Sequence, residues 1–227
     1  MFYTFELEVE KKGKFGSRYY VPFDYKVFAQ DSQGELSSYK FPDFVPEFSE
    51  LILTDSSIEA DFINNVSAIG GTGYIISNRV KDLLSDFILP PHRYYSLPYI
   101  RQINGNVKKI REFYFWLQII LEDNYDWIDY KKSQFHIGVY IGDKVTPVKI
   151  NNPPELKKVI KQVDNNEILQ YRDLYLNENY MSKKYDLFFF ENLSWYPYIS
   201  QRLKECLEEK EITGLGTIEK RINVHSN

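Results

Sequence analysis

Apolar and polar positions alternate over residues 2–10, with Phe5, Leu7 and Val9 set against Glu6, Glu8 and Glu10. A period of two sends successive side chains to opposite faces of a strand, so this opening predicts a half-buried β-strand. Residues 11–16 read as a turn-rich connection. Residues 19–29 read as a second strand whose start Pro22 pushes to an edge or bulge. Shorter strands are expected at 51–53, 74–76, 94–100, 135–141, 144–150 and 198–199. Residues 113–121 are almost continuously apolar and aromatic, the pattern of a strand buried on both faces. Residues 185–191 read as a strong central strand, and 102–111 as a basic connection turning at Gly105.

Helical periodicity is scarcer. Residues 57–66 are weakly helical. Ser77 is placed to cap a helix over 78–87, its hydroxyl accepting an orphan backbone N–H, with Val80, Leu83, Leu84 and Phe87 as the apolar stripe. Pro90 and Pro91 end it. Pro153 and Pro154 open a polar helix near 155–163. Ser200 caps a helix over 201–210 that turns Leu203, Cys206 and Leu207 inward. The expected class is α+β, with mostly antiparallel sheets and capped helices packed on them.

The two Ser-capped junctions echo each other. Ile75-Ile76-Ser77-Asn78-Arg79-Val80-Lys81-Asp82-Leu83-Leu84 aligns without gaps to Tyr198-Ile199-Ser200-Gln201-Arg202-Leu203-Lys204-Glu205-Cys206-Leu207, at an offset of 123 residues. The echo is either two instances of a common junction or two related modules. The second reading divides the chain into α+β halves, 1–111 and 112–227, or folds both into one compact domain.

Composition narrows the function classes. The net charge of −4 argues against general nucleic-acid binding, which shows a basic surface. No apolar run reaches the roughly 20 residues of a membrane span, and the N-terminus lacks the pattern of a signal peptide. The single Cys206 gives no sign of an oxidising compartment, so cytoplasm is the expectation. The 19 Tyr and 16 Phe suit either a β-rich core or an interface. Residues 31–61 carry eight carboxylates against Lys40 alone, with Pro42 and Pro46 as punctuation. This stretch reads as an acidic surface excursion, either merely solvated or facing a partner.

Catalytic patterns are missing. Gly70-Gly71-Thr72-Gly73 precedes a strand, whereas a phosphate loop follows one, so a helix-to-strand connection is expected. His92, His136 and His225 stand apart from one another and from Cys206, leaving no zinc spacing. Cys206 falls on the inward stripe of its helix, where a thiol behaves as a small hydrophobe. The acidic run 122–129 lacks the Gly and closing Glu of a calcium loop and reads as a hairpin turn. No catalytic residue, cofactor or metal site is expected.

Three landmarks nevertheless resemble a known family. They are Tyr74 to Leu84 with the following Leu97-Pro98; Asp126-Trp127-Ile128-Asp129 leading to Ser133; and Leu187-Phe188-Phe189-Phe190 followed by Ile199 to Lys204 and Ile212-Thr213-Gly214-Leu215. In this order they resemble immunity-protein family eleven of bacterial polymorphic-toxin systems, and its neighbour family forty-three. The resemblance implies a non-enzymatic cytoplasmic antidote that binds and neutralises a cognate toxin. It marks Ser77, Arg79, Asp129, Ser133, Ser200, Arg202 and Gly214 as motif residues of structural character.

The toxin-facing surface is expected in the acidic excursion. Complementary charge speeds encounter with a basic partner, and Tyr39, Phe41, Phe44 and Phe48 interleave with Asp43, Glu47 and Glu50 as anchors. The competing reading is an enzyme or small-anion binder with its site between the two modules, held by Arg79 and Arg202.

Overall fold

A computed structural model covers the chain, and the description below concerns residues 1–7, 10–11, 14–15, 31–48, 51–53, 59–63, 69–97, 99–103, 106–109, 114–139, 145–164, 166–194 and 196–224. The expected strand over 19–29 and the turn at Gly105 lie outside these residues. In chain order the elements begin with β1 Phe2–Leu7, β2 Glu10–Lys11, β3 Lys14–Phe15, β4 Leu51–Leu53, β5 Phe62–Ile63 and β6 Thr72–Ser77. Then come α1 Asn78–Leu84, β7 His92–Leu97, β8 Tyr99–Ile103, β9 Asn106–Lys109, β10 Tyr114–Ile119, β11 Gln134–Val139 and β12 Val145–Val148. The remainder is α2 Pro153–Gln162, β13 Glu167–Leu176, α3 Glu178–Met181, β14 Leu187–Phe188, β15 Tyr198–Ser200, α4 Gln201–Glu209 and β16 Leu215–Val224. The class is α+β; most of the described pairings are antiparallel, while β4–β8 and β13–β16 are parallel. Among the described residues no helix is long and apolar enough to cross a membrane.

The chain divides into two units. Unit 1 comprises Met1–Phe5, Glu122–Lys204 and Ile218–Asn227; unit 2 comprises Glu6–Leu121 and Glu205–Thr217. The sheet of unit 1 has the order β12-β11-β13-β16-β1-β15-β14. Its core is aromatic. Trp127 is ringed by Tyr180, Tyr185, Phe188 and Phe190 at centroid distances of 5.6, 5.8, 5.6 and 6.4 Å. Tyr198 stacks on Phe188 at 5.4 Å. These buried tyrosines keep their hydroxyls bonded: Tyr125 donates to Glu191 O at 2.6 Å, Tyr180 to Tyr185 O at 2.7 Å, and Tyr198 to the Tyr171 hydroxyl at 2.8 Å. Burial pushes the Tyr180 phenol well above its ordinary range, with the nearby Asp186 charge adding to it. Much of the aromatic composition is therefore core.

Unit 2 holds the sheet β5-β6-β10-β7, the sheet β4-β8-β9 and the hairpin β2-β3. Ile63, Ile75, Leu97, Tyr114 and Trp116 form a buried cluster at its centre. The expectation of a strand buried on both faces holds for β10, of whose residues Phe115 alone is half-buried and the rest are buried.

Several expectations are corrected. Within 57–66, Phe62 and Ile63 form β5 rather than helix, because they pair in register with Ile76 and Ile75. Sheet pairing overrides a weak local propensity there. Of the glycine run, Thr72 and Gly73 belong to β6 itself. Residues 185–191 contribute only the two-residue β14, at an edge of the sheet, although the segment is buried as its apolarity demands. The basic connection 102–111 includes β9, paired with β8. The acidic run 122–129 is no hairpin, since β10 and β11 belong to different sheets; it turns through a 3₁₀ helix at Tyr125–Trp127. The ten-residue β13 was hidden by its polar residues Gln170, Arg172 and Asp173.

The polar helix α2 starts as its sequence indicates. Asn152 Oδ1 accepts from Glu155 N–H at 2.9 Å, while Pro153 and Pro154 fill the first positions, where a missing donor costs nothing. Glu155 returns the favour, Oε1 accepting from Asn152 Nδ2 at 3.0 Å and Oε2 from Asn151 N–H and Nδ2, both at 2.8 Å. The Asn151 N–H holds the Glu155 carboxyl below its ordinary range. A group depressed in the folded state stabilises above its unfolded pKa, about 4.3, and loses that contribution as pH falls through the folded value. The gap in denaturation midpoint between the parent chain and Glu155→Gln should thus be widest near neutral pH and close below about pH 4. An equal gap at every pH would remove the carboxylate from the cap.

Candidate functional site

The echo between the two junctions is a repeated structure. In unit 2, Ser77 N–H donates to Asp61 O at 2.8 Å and its hydroxyl to Asp61 Oδ1, also at 2.8 Å. The same hydroxyl accepts from Val80 N–H at 3.3 Å and caps α1. In unit 1, Ser200 N–H donates to Asp186 O at 2.8 Å and its hydroxyl to Asp186 Oδ1 at 2.6 Å, while accepting from Leu203 N–H at 3.1 Å. Arginine two residues beyond each serine returns to the same carboxylate. Arg79 lies 3.6 Å from Asp61 Oδ2, and Arg202 grips Asp186 with Nη2 on Oδ2 at 2.5 Å and Nε on Oδ1 at 3.3 Å.

The agreement extends across three strands. Phe62 and Ile63 pair with Ile76 and Ile75 as Leu187 and Phe188 pair with Ile199 and Tyr198. Tyr114 faces Ser77 on the third strand as Phe2 faces Ser200. Lys81 sits over the Phe115 ring at 4.1 Å, and Lys204 over the equivalent Tyr3 ring at 5.2 Å. A tyrosine hydroxyl bonds the carbonyl preceding each aspartate, Tyr114 to Ala60 O and Tyr180 to Tyr185 O. The same set of partners is thus present once in each unit.

Asp61 and Asp186 are the members that sequence reasoning missed. Each opens an apolar pair 14 to 16 residues ahead of its serine, Asp61-Phe62-Ile63 and Asp186-Leu187-Phe188. That signal was covered by the helical reading of one segment and the central-strand reading of the other. Both carboxylates are largely buried, with 12% and 7% exposure of their side chains. As anion-binding candidates, Arg79 and Arg202 thus each come with a carboxylate already engaged.

The other motif residues also hold backbone. Asp129 O accepts from Lys132 and Ser133 N–H and its Oδ1 from Lys131 N–H at 3.1 Å, closing a turn. The Ser133 hydroxyl accepts from Tyr175 N–H at 3.0 Å, tying that turn to β13. Gly214 follows the end of α4 without capping it. Glu211, at φ 49°, takes the left-handed position after α4, with Ile212 N–H on Leu207 O and Glu211 N–H on Glu208 O. Gly214 instead lies at φ 85° against β5, where a Cβ would come within 2.0 Å of Phe62 O. This contact lets Thr213 bond Asp61 and Phe62: its N–H and hydroxyl reach Asp61 Oδ2 at 3.0 and 2.9 Å, and Phe62 N–H reaches Thr213 O at 3.0 Å.

The acidic excursion is a closed loop over 31–48. Glu47 N–H donates to Asp31 O at 3.0 Å and Gln33 N–H to Glu47 O at 3.1 Å, so its ends meet. The fully buried Gln118 of β10 fastens it, donating to Ser37 O at 2.7 Å and to Lys40 O at 3.4 Å, and accepting from the Tyr95 hydroxyl at 3.0 Å. Leu121 N–H adds a bond to Ser38 O at 2.7 Å. Tyr39, Asp43 and Glu47 are exposed; Phe44 is half-buried; Arg93 covers Phe41 at 4.3 Å. Phe48 turns inward onto Tyr95 at 5.6 Å and joins the core cluster. Val45, which the sequence did not single out, is the most exposed large apolar side chain described, at 87%. Glu50 lies outside the described residues.

Removing a buried charge-assisted acceptor leaves donors unmet. Asp61→Ala and Asp186→Ala should each cost about 2 kcal/mol, discounted for the half-exposed arginines, as read by denaturant unfolding. Gln118→Ala should cost about 1–3 kcal/mol and selectively speed proteolysis within 36–46. If neither aspartate substitution moves the unfolding midpoint, the repeated bonds are not structural supports; if cleavage in the loop does not change, Gln118 is not its fastening.

No protein-family model matches the chain, and no curated protein matches it.

Proposed function

We propose that this chain is a cytoplasmic immunity protein that binds a cognate bacterial toxin and blocks it without catalysis, using the 31–48 loop as its docking surface. The observation that carries this reading is the construction of the loop. Its ends are bonded together and its middle is fastened to a buried glutamine, so little conformational entropy is left to lose on binding. On that fixed base Tyr39 and Val45 stand out at 62% and 87% exposure beside the carboxylates of Asp43 and Glu47. Two exposed anchors on a loop whose carboxylates outnumber its one cation, Lys40, suit a basic protein partner, with the apolar contacts giving residence and the charge giving rate. The order of the residue landmarks, resembling the immunity-protein family, supplies the kind of partner. The motif residues carrying that resemblance hold helix starts, turns and buried aspartates, in keeping with the structural character the resemblance gives them.

The test pairs the chain with the toxic domain encoded beside it. Co-expression should rescue growth, and the purified pair should associate faster at low salt. Asp43→Lys with Glu47→Lys should slow association about tenfold and flatten its salt dependence. Tyr39→Ala should mainly raise the dissociation rate. Unchanged rates with all three substitutions would sink the interface. Failure of the parent chain to protect or bind would sink the antidote reading itself.

A further inference from the structure

Unit 1 carries a groove of about 920 Å³ along β11 and β12, lined in part by the 130–134 turn. Its apolar side is made by Phe135 and Ile150, both buried, and by half-buried Val148. Tyr130 stacks on Phe135 at a centroid distance of 6.1 Å and 30° between planes. Three exposed cations line it from separate segments: Lys131 from the turn, Lys149 after β12 and Arg172 from β13. None of the three has an ion pair among the described residues, and among those residues no carboxylate lines the groove. The neighbouring acids make their close contacts elsewhere, although Lys149 lies near enough to Glu155 for its charge to help hold that carboxyl low. Glu155 is bonded by Asn151 and Asn152 at the start of α2, and Asp129 by Lys131 N–H and by Lys132 at 3.6 Å. A protein of net charge −4 has thus gathered three exposed cations, none in a close ion pair among the described residues, around one apolar floor.

We propose that this groove binds a multiply charged organic anion with a planar apolar body, of the nucleoside polyphosphate kind. Arg172 offers a fork of donors to a phosphate, and the two lysines add point charges that tolerate several ligand orientations. The floor adds what a bare anion cannot use, an apolar surface for a ring. A groove of this volume lies in the range of small-molecule sites. The anion site expected from sequence rests on Arg79 and Arg202, each already engaged by an aspartate; Lys131, Lys149 and Arg172 make no close ion pair among the described residues. This proposal does not depend on the antidote reading.

Calorimetric titration of the full chain with ADP tests it. Saturable binding is expected, weakening as salt rises, with adenosine and pyrophosphate each binding less tightly than ADP. Lys149→Gln with Arg172→Gln should weaken ADP binding by about tenfold or more while leaving the melting temperature unchanged. In the parent chain ADP should protect Lys149 from amine acetylation read by mass spectrometry, a measurement that needs no variant. Absence of saturation at about millimolar ADP, undiminished binding in the double variant, or no protection of Lys149 would each overturn the site. Pyrophosphate binding as tightly as ADP would overturn the planar body.

Discussion

A carboxylate buried at the start of an edge strand is costly unless donors surround it, and both units depend on meeting that cost in the same way. Asp61 and Asp186 each receive a serine hydroxyl, the guanidinium two residues further on and, through the main-chain oxygen, the serine N–H. The serine is shared between strand and helix: one oxygen donates to the carboxylate and accepts from the first helical turn. One buried charge thereby fixes strand register, helix start and the angle between them. The third strand is drawn into the same arrangement by a ring lying under the lysine four residues past the serine.

What surrounds that shared core differs. Unit 2 places a fastened acidic loop beside its sheet, with Gln118 as the fixed point. Unit 1 extends its sheet through β16, β13, β11 and β12 and leaves cations along the far end. A support used twice leaves the two peripheries free to specialise, and the charges of the two surfaces are opposite in sign. This division follows a general pattern in which rigid sheets and capped helices hold the frame while loops and edges carry recognition.

The serine caps, the short strands flanking them, β10 and the Pro-opened α2 were legible in the chain because each depends on interactions within a few residues. Ser77 and Ser200 needed only the first helical turn to declare themselves. Their aspartates were not legible, since a carboxylate 14 to 16 residues upstream has meaning only once the strand pairing is known. Likewise Phe62-Ile63 looked helical and 185–191 looked central because local apolarity reports burial, not position in a sheet. The loop was seen as acidic and aromatic, but not that Phe48 turns inward while Val45 turns out. Its orientation is set by Gln118, which lies some 80 residues away along the chain. The cations of the groove come from three segments that the sequence does not connect.

The bond between Thr213 and Asp61 also has a consequence for synthesis. Unit 2 needs Glu205–Thr217 as well as Glu6–Leu121, and unit 1 takes β1 from Phe2–Leu7, well over a hundred residues ahead of the strands it pairs with. As the chain leaves the ribosome, Asp61 emerges long before Thr213, and Phe2 waits for Ser200. Neither unit can close around its own early residues alone. During translation the nascent chain therefore holds unpaired strand edges and a buried-type carboxylate without its partners, until Thr213 and β16 have followed α4.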